Sequence, residues 1–247
     1  MRKKNFLNTK SLVNGWIHSE SSASAEIMGA SKFNSITIDL QHGETSLRQC
    51  KHLLQILSRY KIFKIVRVPS NEIGIINKVL DFGANGVICP LVNSKEECIK
   101  FLSYCYYPPK GIRSYGPTIA SIEKPNYFQG TKDNILSVIM IETRESVSNL
   151  EQILSCSDLD MVYVGPYDLS ISFGYSPDKV FENNKMKSIY IDILDKCKKY
   201  KKKVAIHCSG AENASFFLKI GFDMVTISTD LNILKEAVLN ELHRLKL

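Results

Sequence analysis

The feature that most constrains the fold is a regular alternation of apolar runs with segments of helical periodicity. Eight short apolar runs, rich in β-branched residues, predict strands at 12–18, 35–40, 62–68, 86–92, 137–142, 160–165, 203–208 and 223–228. Between them, apolar residues three and four positions apart predict helices at 46–60, 71–83, 94–105, 144–155, 186–200, 210–221 and 231–246. Apolar strands joined by helices indicate a parallel sheet that is covered on both faces.

Eight such units in 247 residues match the (β/α)8 TIM barrel in number and size. We therefore expect one barrel domain over residues 1–247. The competing architecture is an open, doubly wound sheet, in which we would expect a glycine-rich phosphate loop after the first strand. The stretch GWIHSESSASAE offers no such loop.

Helix-capping residues support the predicted boundaries. Ser94 and Asn71 stand where helices should begin, and Gly83 and Gly221 stand where helices should end. The segment 106–134, rich in proline and glycine, interrupts the alternation as one long loop. Long loops in compact domains are often functional, and we expect the same here.

The composition excludes several classes of protein. Hydrophobic residues make up 44% and charged residues 23%, which is typical of a globular chain rather than a disordered one. No apolar run is long enough for a transmembrane helix, and the N-terminal residues do not resemble a signal peptide, so we expect a cytoplasmic protein with no membrane partner. The seven cysteines include no CxxC pair, which favours reduced thiols over disulfides or a zinc site.

The net charge of +7 raises the question of nucleic-acid binding. The densest basic run, DKCKKYKKKV at 195–204, coincides with a predicted helix end and has no accompanying aromatic platform. A solvated helix face explains this run better, so we expect no nucleic-acid partner.

Polar side chains follow the predicted strands, where a barrel carries its active site. Strand one carries the only tryptophan, Trp16, and the other strand ends carry Asp39, Gln41 and His42; Arg67; Glu142; Gly165, Pro166, Tyr167 and Asp168; and His207. Burial of such groups is costly without a function or a partner, so we interpret them as one catalytic face.

Each of these residues also has a purely structural interpretation. Glu142 and Asp168 could stabilise helix N-termini, and Arg67 could pair with a neighbouring acid. Trp16 could belong to the core, and either histidine could hydrogen-bond to nearby groups. Their recurrence at five strand ends favours the functional interpretation.

Two carboxylates without a cysteine or a cluster of histidines favour a hard divalent cation such as Mg²⁺ or Mn²⁺. A cation held by two protein ligands leaves room for a chelating substrate. A 2-oxo acid chelates through one carboxylate oxygen and its keto oxygen. We therefore expect a small-molecule 2-oxo acid at this site.

At these residues the chain resembles the HpcH/HpaI family, the metal-dependent class II pyruvate aldolases. The similar stretches, in the family's order and spacing, are IDLQHG, VRVP, VLDFGANGVICPLV, YYPPKGIRSYG, IMIETRESVSNL and VGPYDLS. The resemblance implies reversible cleavage of a 4-hydroxy-2-oxo acid to pyruvate and an aldehyde. It also implies a divalent cofactor (Mg²⁺, Mn²⁺ or Co²⁺) and a homo-oligomer, a trimer or hexamer, in which the last helix packs on a neighbouring subunit.

The resemblance also implies roles for individual residues. Glu142 and Asp168 would bind the metal, His42 would act as acid and base, and Asp81 would orient His42. Arg67 would stabilise the enolate oxygen. Backbone amides around Gly165, Pro166 and Tyr167 would bind the pyruvate carboxylate. The other candidate substrate-binding residues are Trp16, Gln41 and His207. Of these, His207 would bind a hydroxyl or an anionic group of the aldehyde.

The chain departs from the family at Met140, where many members carry glutamine, and at Gln41, where some carry glutamate. These departures leave two alternatives open. One is an acyl-CoA lyase of the citrate-lyase β-subunit type, and the other is a catalytically impaired barrel that acts as a binding subunit.

Overall fold

Eight parallel strands close into a barrel in chain order, with the first strand paired to both the second and the eighth. The structure is a computed structural model that describes residues 2–124 and 126–245. Its strands are β1 Leu12–Ile17, β2 Ser35–Asp39, β3 Phe63–Arg67, β4 Gly86–Cys89, β5 Leu136–Ile141, β6 Met161–Val164, β7 Lys203–His207 and β8 Met224–Thr229. The predicted (β/α)8 TIM barrel and all eight of its strands are confirmed; the largest boundary difference is at β4, which ends at Cys89.

Helices surround the barrel. They are α1 Lys3–Asn8, α2 Ser22–Ala30, α3 Leu47–Leu57, α4 Ile73–Asp81, α5 Lys95–Cys105, α6 Thr118–Glu123, α7 Tyr127–Asn134, α8 Arg144–Ser148, α9 Leu150–Leu154, α10 Pro166–Ser172, α11 Asn184–Lys199, α12 Ala211–Ile220 and α13 Asp230–Arg244. The seven predicted helices are present, although 144–155 forms two helices that meet at Asn149. The sequence reading missed α1, α2, α6, α7 and α10. None of the described helices is long and apolar enough to cross a membrane.

Three of the four predicted capping residues lie at helix ends. The Ser94 hydroxyl accepts a hydrogen bond from the Glu97 amide, and Gly221 ends α12 in the left-handed conformation. Gly83 has a φ of +100° just after α4. The prediction for Asn71 is wrong, because α4 is preceded by Glu72 and the Asn71 amide donates to a carbonyl of α5 instead.

The core has two layers, as the alternation of side chains along each strand requires. Side chains that point outward pack against the helices, and side chains that point inward fill the barrel. Helix α1 closes the end of the barrel where the strands begin, with Phe6 stacked on Phe63 at 4.3 Å between ring centroids. Burying each such ring contributes about 1.5–3 kcal/mol.

The long predicted loop lies at that same closed end, because it connects the C-terminus of α5 to the start of β5. It contains α6 and α7 and holds the buried side chain of Arg113 over the rings of Tyr107 and Tyr127. The open end of the barrel, where the strands end, carries all the polar residues predicted to form the site except Asp81.

Candidate active site

The inward-facing residues at the strand ends form one polar cluster at the open end of the barrel. In the parallel register of β2 and β3, Asp39 lies directly beside Arg67. Both side chains point inward, and both are buried. The neighbouring strand β1 contributes Trp16 from the same layer and ends just before His18.

Asp39 is the centre of this cluster. Its Oδ1 atom accepts a hydrogen bond from Arg67 Nε at 2.8 Å, and its Oδ2 atom accepts from Arg67 Nη2. Oδ2 also accepts from Trp16 Nε1 at 3.1 Å and lies 2.8 Å from His18 Nε2. Such a bidentate pair with added donors gives both geometry and charge compensation to a buried carboxylate.

The loop after β2 wraps around the same carboxylate. The backbone amides of Gln41 and His42 donate to Asp39 Oδ1 at 3.0 Å and 3.3 Å. Burial by itself raises the pKa of Asp39, but the hydrogen bonds from His18 and Arg67 outweigh burial and hold the pKa well below its usual range. Asp39 is therefore a permanent anion at the base of the site.

The pairing with Asp39 fixes the direction of the Arg67 guanidinium. Its Cζ atom lies over the Trp16 ring, 5.0 Å from the ring centroid. With Nε and Nη2 bound to Asp39, the remaining nitrogen Nη1 lies 3.8 Å from Met140 Sδ, towards β5. Because a thioether is a weak acceptor, the N–H groups of Nη1 retain capacity for a substrate oxygen.

Glu142 and Asp168 lie across the barrel mouth from Trp16, after β5 and in the first turn of α10. Glu142 is buried, and its Oε1 atom accepts from the Leu91 amide at 2.7 Å. The described residues provide no lysine, arginine or histidine in a salt bridge to either carboxylate. Burial, with a smaller contribution from the Asp168 charge, raises the pKa of Glu142 to about 7.

Two neighbouring carboxylates without a salt-bridge partner among the described residues fit a hard divalent metal ion, which would add positive charge beside that of Arg67. No cluster of three or more histidine, cysteine or acidic side chains suited to a metal occurs in the described part of the chain. Glu142 and Asp168 are the residues that would hold such an ion, with the remaining positions left to water and substrate.

Gly165 is required beside these carboxylates. A Cβ atom at this position would lie 2.8 Å from Glu142 Oε2 and 3.1 Å from Met140 Cε. Such distances would force the Glu142 side chain out of its position. The glycine at the end of β6 thus keeps the space that the second carboxylate oxygen occupies.

The start of α10 offers backbone donors to the cavity, and the Tyr167 amide is the one of them that the sequence also predicted. Pro166 has no N–H, and the Gly165 N–H donates to the Ile141 carbonyl at 3.3 Å. The amides of Tyr167 and Asp168 are in the first turn of α10, where amides lack intrahelical acceptors. These two amides can bind an anionic group.

His207 ends β7 on the same face. Its Nδ1 atom lies 3.2 Å from the Tyr163 hydroxyl, and its ring meets the Trp16 ring edge-on at 5.0 Å. Burial, with the nearby charges of Arg67 and His18, lowers the pKa of His207 to about 3. The imidazole is therefore neutral at pH 7, and it offers hydrogen bonding rather than the positive charge expected for an anionic group.

One cavity of about 280 Å³ joins most of these groups. Among the predicted site residues, the structure places in its wall His42, Arg67, Gly165, Pro166, Tyr167, Asp168 and His207. Glu142 lies directly behind Gly165. The sequence therefore predicted residues from four strand ends that share one pocket, with Glu142 from a fifth beside it.

Three predicted residues lie elsewhere. Trp16 is 1% exposed beneath the Arg67 guanidinium, in the barrel core. The Gln41 side chain is absent from the cavity wall, and its amide oxygen is buried without a hydrogen-bond partner among residues 2–124 and 126–245. Asp81 ends α4 at the closed end of the barrel, where it accepts a hydrogen bond from Arg113 at 2.6 Å. Asp81 therefore does not contact His42 within this chain.

The sequence reading did not assign His18, and it noted Asp39 and Met140 without site roles. His18 lines the cavity, and it lies two residues beyond Trp16, so the two-residue period of a strand puts both side chains on the inner face. That period was the available signal. Asp39 followed from the same period, being two residues beyond Thr37.

Comparisons with known proteins agree with this arrangement. The sequence profile of HpcH/HpaI aldolase/citrate lyase matches residues 13–237. The chain is 31% identical over 224 residues to the hydroxypyruvate/pyruvate aldolase of Rhizorhabdus wittichii, covering 90% of this chain and 89% of that protein. It is 28% identical over 226 residues to the 4-hydroxy-2-oxo-heptane-1,7-dioate aldolase of Shigella flexneri, with coverages of 90% and 84%.

Among solved structures, an HpcH/HpaI aldolase/citrate lyase family protein from Burkholderia cenocepacia superposes with a TM-score of 0.93 at 21% identity. The match covers 99% of this chain and 98% of that one, which shows a shared fold. Together, the barrel, its polar mouth and these matches show that the chain belongs to the HpcH/HpaI aldolase/citrate lyase family.

Proposed function

We propose that this protein is a carbon–carbon lyase that cleaves a 4-hydroxy-2-oxo acid reversibly to pyruvate and an aldehyde, with a divalent metal ion as cofactor. The observation that carries the proposal is the arrangement of charges across the barrel mouth. Glu142 and Asp168 present two carboxylates on one side, with no salt-bridge partner among the described residues. Arg67, held by Asp39, lies on the other side with its Nη1 atom directed towards Met140 on β5.

Different residues of the site would bind different groups of a 2-oxo acid. The Tyr167 and Asp168 amides hold the substrate carboxylate at the start of α10. A bound Mg²⁺, Mn²⁺ or Co²⁺ ion, held by Glu142 and Asp168, would polarise the keto group. Arg67 Nη1 donates to the oxygen on which negative charge develops when the bond between C3 and C4 breaks.

Cleavage also requires removal of the proton on the C4 hydroxyl. His42 is the proposed acid and base, because its exposed ring lines the cavity while its backbone is held by Asp39. A side chain that moves one proton in the transition state typically contributes a factor of about 10²–10⁴ in rate.

Helix α13 supports the proposal of a homo-oligomer. None of its residues is buried, and its apolar side chains are open to solvent, with Leu234 61%, Val238 50% and Leu242 52% exposed. An apolar stripe of this length is unusual on a monomer. We infer that a second copy of the chain covers it. All seven cysteines are free and buried, which supports the proposal of a reducing, cytoplasmic location.

The test is condensation of pyruvate with a panel of aldehydes in the presence of Mg²⁺, with the 4-hydroxy-2-oxo acid detected by mass spectrometry. Formation of the acid supports the proposal. Turnover of a CoA thioester, with no free oxo acid formed or cleaved, would replace it with the acyl-CoA lyase alternative. Binding of pyruvate without either reaction would favour the other alternative, a catalytically impaired barrel that acts as a binding subunit.

A further inference from the structure

Two of the seven cysteines, Cys98 and Cys156, form a pair in the layer between the barrel and its helices. Cys98 lies in α5, and Cys156 follows α9, which packs against α5. The Cys98 thiol donates a hydrogen bond to the Cys156 sulfur. Two thiols in direct contact are the arrangement from which a disulfide can form.

Cys156 is the member of the pair that a small reagent can reach. It is 5% exposed and lines a cavity of about 300 Å³. Cys98 is fully buried and is absent from the wall of this cavity, so Cys156 stands between it and the solvent. The cavity shares no residue with the candidate active site, in which Cys208 is the cysteine that lines the wall.

Lysine side chains near Cys156 favour the charged form of its thiol. Lys95 lies in the first turn of α5 and lines the same cavity. The Lys202 ammonium donates to the Cys156 carbonyl at 2.7 Å, and to the carbonyls of Ser157 and Leu159 at 3.0 Å and 2.7 Å. An ammonium held beside a thiol stabilises the thiolate.

The other charged groups around the cavity change this balance little. Lys110 is paired with Asp158 at 2.6 Å, and Glu96 opposes ionisation of Cys156. The hydrogen bond from Cys98 lowers the pKa of Cys156 to about 7, with the two lysines acting in the same direction and burial in the opposite one. A large part of Cys156 is therefore thiolate at pH 7, and the thiolate is the form that attacks an electrophile.

We propose that Cys156 is a modification site for hydrogen peroxide and that Cys98 resolves the product into a disulfide, which ties α5 to the segment after α9. The Cys156 thiolate attacks one peroxide oxygen, the O–O bond breaks, and the leaving hydroxide takes a proton to become water. Cys156 is then a sulfenic acid. The Cys98 sulfur attacks the Cys156 sulfur, the S–O bond breaks, and the hydroxyl leaves as a second water with the proton of Cys98. Two thiols lose two electrons, and one peroxide gains them.

Alkylation of the native protein tests the first half of the proposal and needs no variant. The folded, reduced protein is treated briefly with iodoacetamide at pH 7, and each cysteine is then assayed by peptide mass spectrometry. Cys156 should react at least tenfold faster than Cys208, because both line a cavity but burial raises the pKa of Cys208 to about 12. Alkylation of Cys208 or of any other cysteine as fast as that of Cys156 would overturn the proposal.

Treatment with hydrogen peroxide tests the second half. The native protein should yield one cross-linked peptide pair that contains Cys98 and Cys156, and dithiothreitol should separate it. Sulfinic acid at Cys156, with the Cys98 thiol intact, would show that Cys98 does not resolve it and would overturn the pair.

Variants assign the two roles. Cys98→Ser should stop the oxidation at the sulfenic acid of Cys156, which dimedone traps, and Cys156→Ser should leave the Cys98 thiol unmodified. Cys50→Ser, which changes another fully buried cysteine, is the matched control and should form the disulfide as the native protein does. Oxidation of Cys98 in Cys156→Ser at the native rate would make Cys98 the reactive thiol and overturn the assignment.

Lys95→Met keeps both cysteines, so it tests the electrostatic argument even if a cysteine variant does not fold. It should slow the alkylation of Cys156 about twofold or more and leave that of Cys208 unchanged, because the charge it removes lies in the wall of the Cys156 cavity. An unchanged rate at Cys156 would contradict the role of the lysines in its reactivity.

Discussion

Replacing Asp39 by asparagine tests whether this carboxylate organises the barrel mouth. Asp39 is fully buried, and Arg67 is 7% exposed, so the substitution leaves a buried guanidinium without its counter-charge and turns an amide N–H towards other donors. Breaking one partner of a buried ion pair costs about 3–5 kcal/mol. For a chain of this size that loss lowers Tm by roughly 6–20 °C.

Urea unfolding, followed by far-UV circular dichroism and by the fluorescence of Trp16, measures the loss. Trp16 is the single tryptophan and donates to Asp39, so its emission reports on the site. Asp192→Asn is the matched control, because Asp192 forms an exposed i,i+4 pair with Lys196 and should cost no more than about 0.5 kcal/mol.

A double-mutant cycle with Arg67→Met completes the test. Removing both charges eliminates the unpaired guanidinium, so the loss in Asp39→Asn/Arg67→Met should be smaller than the sum of the single losses by at least about 1 kcal/mol. Strict additivity, or a loss below about 1 kcal/mol in Asp39→Asn, would refute the reasoning that the pair is a buried structural unit.

The remaining predictions concern metal binding, proton transfer and assembly. In chelator, the free energy of unfolding should fall as pH rises from about 4.5 to about 7, because the folded state holds the Glu142 proton more tightly than the unfolded state. Glu142→Gln should remove up to about 3 kcal/mol of that fall, as measured by urea unfolding at several pH values. The same pH profile in this variant as in the native protein would contradict the prediction. His42→Ala should reduce aldol cleavage by about 10² or more, and reduce pyruvate proton exchange much less; equal losses would reassign its role. Leu234→Lys together with Leu242→Lys should lower the mass measured by light scattering, whereas an unchanged mass would leave α13 outside the interface.

The sequence predicted the barrel because β-branched apolar runs and helical periodicity are properties of single segments. The helices α2 and α10 were missed because their own segments carry no such pattern. The residues of α2, SASAEIMGA, are mostly small and carry no clear apolar stripe, and α10 begins at a proline directly after a strand. The pattern-based reading needs a long, periodic segment, and these helices have neither length nor period.

Residues of the candidate site could be predicted where their position on a strand decides whether the side chain points into the barrel or towards the helices. Arg67, Glu142 and His207 belong to this group, since each lies on the inner face at the end of a strand. Asp81 was placed in the site by resemblance alone. It ends a helix that returns to the start of the next strand, so barrel topology puts it at the opposite end.

The hydrogen-bond network inside the barrel could not be predicted from the sequence. The groups linked to His207 in this network are Tyr163, Thr226 and Asn14, which come from three other strands. Each of the three looks like an ordinary strand residue in the sequence. Only the closed barrel brings them into one chain of hydrogen bonds, and such contacts between distant segments have no local pattern.

The exchange of pyruvate methyl protons with deuterium, followed by NMR, tests the central claim most directly. We predict rapid exchange with Mg²⁺, no exchange with EDTA, and recovery of exchange when excess Mg²⁺ is restored. Glu142→Gln should show no exchange under any of these conditions, because Glu142 and Asp168 would hold the ion that polarises the keto group. Full exchange in EDTA, together with borohydride trapping of pyruvate on a lysine, would contradict it.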